Sequence, residues 1–357
     1  MTQNEDLMVE HSHKHCHAGP ASRTKPWYQT PLFYVTVLTG LLFFVSGYIP
    51  VLFHFRHTFL EYVRMLGFPL LIGAFVGGLL DYYVPQAYIS KHLAERRKRT
   101  VLYAVGLGFF MSACSHGILA LSMELHKKGA AGSAVIAFLL ASPWASLPVT
   151  FLLIGFFGLK AFWLIGGALL IAILTGFIFQ LLEHWHWVEH NPHTVAIEPG
   201  FSVRADIRQR LRHFSWSKEN LGQAARGIAH GMRMLVDMVL LWVLVGMVLG
   251  ALASAVVPPH VFDRFFGPTL LGLGMTMVAA TILEVCSEGT APLAFELYRQ
   301  TGAFGNAFVF LMGGVVTDFT EIALVATYLG KRTAIWMLII ALPQVLVLGW
   351  FLNQMTS

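Results

Sequence analysis

From residue 31 onward, long apolar runs alternate with short polar interruptions. The runs fall at about 31–53, 67–84, 101–121, 131–157, 161–182, 234–257, 268–285, 303–329 and 333–352. Several exceed the ~18 residues that mark a membrane-spanning helix. None shows the two-residue alternation of a membrane strand, so a β-barrel is not expected. Lipid offers backbone polar groups no partner outside the segment itself, so the runs should be α-helices. The expected fold class is an all-α polytopic membrane protein with eight or nine hydrophobic segments.

Two polar stretches interrupt this pattern. Residues 91–99 read KHLAERRKR, and residues 183–233 carry Arg204, Arg208, Arg210, Arg212, Lys218 and Arg226. Loops rich in Lys and Arg stay in the cytoplasm, so both stretches should lie on that side. In the longer one, Ile207, Leu211 and Phe214 recur at i, i+4 and i+7. That spacing suits a basic amphipathic helix on the inner leaflet; an unstructured basic linker is the alternative. The resulting division is a polar tail (1–30), a first transmembrane helix and loop (31–66), a membrane unit (67–182), a basic cytoplasmic loop (183–233) and a second membrane unit (234–357).

The two membrane units look like copies of one another. AFVGGLLDYYVPQAYI from Ala74 aligns with MVLGALASAVVPPHVF from Met247, pairing Gly77 with Gly250, Leu79 with Leu252, Val84 with Val257 and Pro85 with Pro258. CSHGILALSMEL from Cys114 aligns with CSEGTAPLAFEL from Cys286, and FLLASPWASLP from Phe138 with FLMGGVVTDFT from Phe310. If every run crossed, three crossings would put the two basic stretches on opposite sides. The run 131–157 is broken by Pro143 and Pro148 and followed by glycine, so it is the candidate for a re-entrant or broken hairpin. That arrangement makes the repeats inverted and leaves Lys331 and Arg332 inside. Parallel repeats with nine full spans are the other solution.

Composition supports the membrane reading: 56% of residues are hydrophobic and 12% charged, against about 25% charged in soluble domains. The net charge of +5 comes mostly from loop Lys and Arg and does not suggest nucleic acid. Three cysteines are too few and too scattered for a disulfide framework. Nothing before Pro31 resembles a cleavable signal peptide. The expected location is the bacterial inner membrane, multi-pass, with the N-terminus in the cytoplasm.

Candidate chemistry concentrates in the duplicated motif. Cys114-Ser115-His116-Gly117 and Cys286-Ser287-Glu288-Gly289 each offer a thiol and a second ligand two residues on. Sulfur with imidazole or carboxylate suits a thiophilic or borderline metal or metalloid, although cysteine is also a good small packing residue. Glu284 and Glu288 are spaced i, i+4, and Asp318 and Glu321 i, i+3. Ionisable groups inside spans are costly and point to function, here cation coordination or proton coupling; structural ion pairing is the competing account. Glu124 and Glu296 match across the repeat but sit beside Lys127 and Arg299, which favours interfacial salt bridges.

The tail carries His11, His13, His15, Cys16 and His17, a metal-capturing composition without the spacing of a closed zinc site; a polar tail without function is the alternative. His186-Trp187-Val188-Glu189-His190 fits the H-x-x-E-H pattern of a zinc peptidase family. It lies at the end of a span among tryptophans, so an interfacial aromatic belt is the simpler account. No Walker A pattern occurs, so this chain should not hydrolyse ATP. No cofactor is expected.

The paired Cys-Ser-x-Gly motifs, each followed by an apolar run, a glycine turn and a Gly/Pro-broken run, resemble the organoarsenical efflux permease family. The resemblance runs from about Gly67 to the C-terminus. It implies a transporter rather than an enzyme, exporting a soft ion or organometalloid. Members commonly have Cys-Ser-Cys-Gly in the first half, where this chain has His116. They also have Pro and Asn where Val315 and Asp318 stand. Losing a thiol and gaining a carboxylate shifts the expectation from trivalent organoarsenicals toward a divalent metal cation. Expected partners are the metal or metalloid cargo, a coupling proton or cation, and the lipid bilayer.

Overall fold

The computed structural model describes residues 31–49, 52–83, 99–108, 115–127, 129–189, 191, 218–283 and 287–356. All regular structure among them is helical. The helices are α1 (Pro31–Val45), α2 (Phe53–Tyr83), α3 (Thr100–Gly108), α4 (Ser115–Lys127), α5 (Gly132–Ala145), α6 (Leu147–Phe157) and α7 (Ala161–His184), followed by α8 (Lys218–Val256), α9 (Pro259–Phe266), α10 (Leu270–Leu283), α11 (Ser287–Thr301), α12 (Phe304–Thr317), α13 (Phe319–Tyr328) and α14 (Lys331–Thr356). Among the described residues, four helical stretches are long and apolar enough to cross a membrane: Phe53–Val76, Leu147–His184, Phe304–Tyr328 and Lys331–Met355. A fifth forms if α8 and α9, bent by 113°, count as one. Large apolar side chains such as Phe68, Leu71, Leu270, Ile282 and Val347 stand exposed, as a surface facing hydrocarbon requires. The protein is therefore an all-α polytopic membrane protein.

Side-chain contacts fix the direction of each helix. At one end of the molecule, here end I, the N–H and Oγ of Ser133 donate to Glu183, so α5 starts where α7 finishes. Also at end I, Glu189 accepts from the amides of Arg332 and Thr333, where α14 starts. At the other, end II, the Gly305 amide donates to Asn353, so α12 starts where α14 finishes. Lys160, just before α7, donates to Tyr298 there. α7 thus runs from end II to end I, and α14 runs the opposite way. Their contacts agree: Gly167 lies against Leu348, and Gln344 donates to Thr175. α2 and α8 are antiparallel as well, Gly78 meeting Ile228 and Met232 while Thr58 meets Ser254.

The helix breaks fall at matching places. α4 and α11, α5 and α12, and α6 and α13 each begin 172 positions apart: Ser115 and Ser287, Gly132 and Phe304, Leu147 and Phe319. Gly129 and Gly302 have positive φ at the corresponding corners. A polar residue near the end of the last helix, Glu183 or Asn353, accepts an amide from the start of α5 or α12.

Re-entry occurs elsewhere than the proline pattern suggests. The run 131–157 breaks at Ser146, but α5 and α6 together cover the length of α7, so the pair crosses. The returning hairpin is α10–α11. Asn306, in the first turn of α12, donates to the carbonyls of Phe266 and Gly267 ahead of α10, and α11 ends next to the same turn. Gly313, farther along α12, meets Met277 and Ala280. α10 therefore goes in from end II alongside α12, and α11 comes back to end II. The 14 residues of α10 span only about 21 Å, short of the ~30 Å hydrocarbon core. α3, at nine residues, is shorter still, and α4 returns to the end I corner at Gly129. Crossings between the two basic stretches are still even in number, with their described flanks at end I. Residue 66 lies inside α2 and residue 233 inside α8, because charged residues such as Arg56 and Arg233 end the apolar run without ending the helix.

One close helix approach joins α8 to α11, where Gly246 meets the backbone of Gly289. A Cβ at 246 would overlap the Gly289 carbonyl. Gly246→Ala should cost about 1–3 kcal/mol through overpacking, read as a lower Tm in detergent. Gly274→Ala, at a position open to 4 Å, should leave Tm unchanged.

Candidate functional site

The deep ends of these broken elements meet one another. Glu288 is the second residue of α11, at the inner end of the returning hairpin, and is 4% exposed. It lines a pocket of about 20 Å³ with Leu70 and Ala74 of α2, Pro148 and Val149 of α6, and Val236 and Leu240 of α8. That is room for about one water molecule. Pro148 and Val149 open α6 directly after the Ser146 break. In the other half, α4 packs against α13, which opens directly after the Asp318 break. Each returning arm thus sits beside the other half's interrupted helix.

The two breaks are finished differently. Asp318 Oδ1 accepts from the amide and hydroxyl of Thr320, at 2.7 Å each, and caps α13. Glu321 follows at the capping-box spacing and is 2% exposed. Part of this acidic pair is therefore used in closing a helix end inside the membrane. Ser146 occupies the corresponding place ahead of α6 without a side-chain cap. Nε1 of Trp144 and Oγ1 of Thr150, on either side of it, are buried without a hydrogen-bond partner. Sequence reasoning did not single out these two residues. The signal was the alignment of FLLASPWASLP with FLMGGVVTDFT, which sets Ser146 opposite Asp318.

Not all expected ligands fall in the described part of the chain. Cys114, Glu284, Cys286, His11, His13, His15, Cys16 and His17 lie outside the described residues, as does the expected helix around Ile207–Phe214 of the central loop. His116 is in the first turn of α4. Among the described residues, no three His, Cys, Asp or Glu side chains gather as a metal site. The structure brings Glu288 to one break and Asp318 with Glu321 to the other.

Toward end II, α11 is tied to α2 and α8 by a charged cluster. Arg299 pairs with Glu296 and with Glu61, at 3.0 Å each. Its guanidinium also donates to Thr58 and Ser254. Glu296 is 1% exposed and accepts as well from Tyr62 and Gln300. The expected Glu296–Arg299 pair thus exists, within a larger network. Sequence spacing could not reveal Glu61 and Tyr62, because they come from the distant α2.

The H-x-x-E-H segment has a structural task. Glu189 accepts from the Arg332 amide at 3.0 Å, the Thr333 amide at 2.9 Å and the Thr333 hydroxyl at 2.9 Å. A carboxylate holding the start of α14 stabilises that helix end. Partial burial pushes its pKa up, but these donors outweigh it and hold the carboxyl below its ordinary 4.5.

Broken and returning helices in an all-α membrane bundle, meeting around buried carboxylates, define a membrane transport protein in structural outline. Residues 51–354 match the ArsP_1 family of predicted permeases, and the chain belongs to that family. It is 24% identical over 276 residues to the UPF0718 protein YcgR of Bacillus subtilis, covering 74% of this chain and 84% of the relative. A putative two-component membrane permease complex subunit of Streptococcus mutans is 21% identical, covering 71% and 79%. The putative permease Rv2963 of Mycobacterium tuberculosis is 24% identical, covering 65% and 60%. No solved structure matches the chain.

Because the folded pKa of Glu189 lies below its unfolded value, its stabilising contribution is complete above about pH 4.5 and disappears as pH falls through the folded value. The Tm gap between wild type and Glu189→Gln should therefore be largest near neutrality and close in acid. A gap that is constant across that range would mean the carboxylate's charge contributes nothing.

Proposed function

We propose that this permease exports a thiophilic metal cation or metalloid by ion-coupled alternating access between two inverted copies of one membrane unit. The observation that carries this reading is the reciprocal arrangement of the breaks. Glu288 abuts the opening turn of α6, and α4 packs against α13. Two seams follow. One lies between α6 and α11 and leads from end II to Glu288; the other lies between α4 and α13 and leads from end I to Asp318 and Glu321. Inverted repeats with discontinuous helices and a midplane site are a common transporter design. The matched helix boundaries and the antiparallel α7 and α14 support it here.

The cargo site would draw on Cys114, His116, Glu284, Cys286 and Glu288, with Asp318 and Glu321 coordinating or coupling. Thiols beside carboxylates suit soft and borderline cations. A buried carboxylate that exchanges protons supplies the coupling. End I is cytoplasmic in this reading, since the basic stretches adjoin it. The His-rich tail then collects metal on that side. Trivalent organoarsenicals remain the second cargo class, favoured by the family resemblance of the Cys-Ser-x-Gly pair. The name of the Streptococcus mutans relative supports a further element, a second subunit working with this chain.

The test is transport by the full chain in proteoliposomes against a panel of Zn²⁺, Cu⁺, arsenite and a trivalent methylarsenical. At least one should move in the wild type. Cys286→Ala and Glu288→Gln should each abolish that transport while protein yield and Tm are kept. A Cys114→Ala/Cys286→Ala double variant that transports the same species at the wild-type rate would rule out the thiol site.

A further inference from the structure

The segment after α7 ties the two halves of the protein together. At its far end, Asn191 is buried and its side-chain amide donates to the carbonyls of His126 at 2.6 Å and Ala130 at 2.8 Å. Those carbonyls form the corner between α4 and α5. Nearer α7, Glu189 holds the first amides of α14, and Trp187 stacks on Trp336 at 5.5 Å between ring centroids. Val188 is buried between these anchors, and His186 takes a positive φ of 59° to turn the chain off α7. Gly330, with φ of 118°, leaves room for the Glu189 carboxylate, which lies where any side chain at 330 would project.

These anchors have a particular location. The α4 corner is the end I limit of α4, and Lys331–Thr333 directly follow the end I limit of α13. The segment therefore straddles the end I mouth of the α4–α13 seam. The mouth of the other seam, at end II, is closed differently, by ring contacts among Phe157, Phe295, Tyr298 and Phe304. One mouth is shut by side chains alone; the other is covered by a length of backbone held by hydrogen bonds to chain ends.

We propose that residues 185–189 and Asn191 form a strap that gates the end I mouth, with Glu189 as its releasable catch. This rests on the reading of the α4–α13 seam as a half-pathway. The catch consists of one side chain on three donors of a helix start, so its release loosens the strap from α14 without breaking any helix. Opening of this kind is how lids and hinges admit or discharge cargo in transporters and enzymes. The H-x-x-E-H residues would then serve gating, with Glu189 as a positioning residue that does not touch cargo.

Thiol accessibility tests this without knowing the cargo. In the sequence Cys114 directly precedes α4, whose first turn is the inner end of the gated seam, and Cys286 directly precedes α11, whose first turn is the inner end of the other. Two full-length proteins, each keeping one of these as its sole cysteine, are labelled in membrane vesicles with a membrane-impermeant maleimide applied from end I. Glu189→Ala should raise the labelling rate of Cys114 severalfold and leave that of Cys286 unchanged, and Glu189→Gln should fall between wild type and Ala. An unchanged Cys114 rate overturns the gate. A rise at both cysteines overturns it too, since it would mark Glu189 as a staple whose loss loosens the whole fold. The readout does not depend on metal movement, so a failure of the metal-export reading leaves it intact.

Discussion

A peptide group inside a bilayer has no water to bond, so a helix can stop there only where protein covers its end. This constraint organises the molecule. Its interruptions at Ser146 and Asp318, and the inner ends of α10 and α11, would each be costly if they faced lipid. The fold brings them together, so that each interruption is covered by elements from the opposite half. A central polar locus follows from that requirement before any transport chemistry is considered. Asp318 shows the overlap of the two demands: it caps α13 by accepting from the Thr320 amide and hydroxyl, and it is also a carboxylate at a helix break.

The same rule governs the two ends. Helix starts at end I and end II are closed by side chains from helices that finish nearby, Glu183 on α5 and Asn353 on α12, and the strap residue Glu189 on α14. At end II the Arg299 cluster bonds α11 to α2 and α8, which anchors the outer end of the returning hairpin while its inner end carries Glu288. Breaking a buried ion pair by removing one partner typically costs 3–5 kcal/mol. The hairpin thus has a firm root at end II, while its inner end carries Glu288 against the small apolar pocket formed with α2, α6 and α8.

Much of this was legible in the chain. Apolar runs without period-two alternation can only be helices in lipid, and the alignment of the two halves pointed to positions where the helix breaks fall 172 residues apart. The Glu296–Arg299 pair was legible because it is local, three residues apart on one helix. The returning arm was misassigned, to 131–157 instead of to α3 with α4 in the first half and α10 with α11 in the second. Proline and glycine report where a helix is interrupted, but an interrupted helix can continue across or turn back. The choice depends on which helix it lies along. α5 lies along α7 and α6 along α2, which carries the pair from end I to end II, whereas α10 starts and α11 ends beside the first turn of α12. Helix limits were also blurred at Arg56 and Arg233, since charges mark the membrane boundary and backbone bonding continues past it.

By itself, the sequence determined that this is a helical membrane protein, where its chains of apolar residues lie, and which acidic and thiol residues are set inside them. Those are properties of composition and short-range spacing. Only the tertiary structure decided that Glu288 faces the start of α6, that Glu61 and Tyr62 complete the Arg299 cluster, and that the Glu189 of an apparent peptidase motif holds the start of α14. Each of those pairs residues more than a hundred positions apart. Nothing in local spacing encodes such partners, which are selected by the burial of helix ends that lipid cannot satisfy.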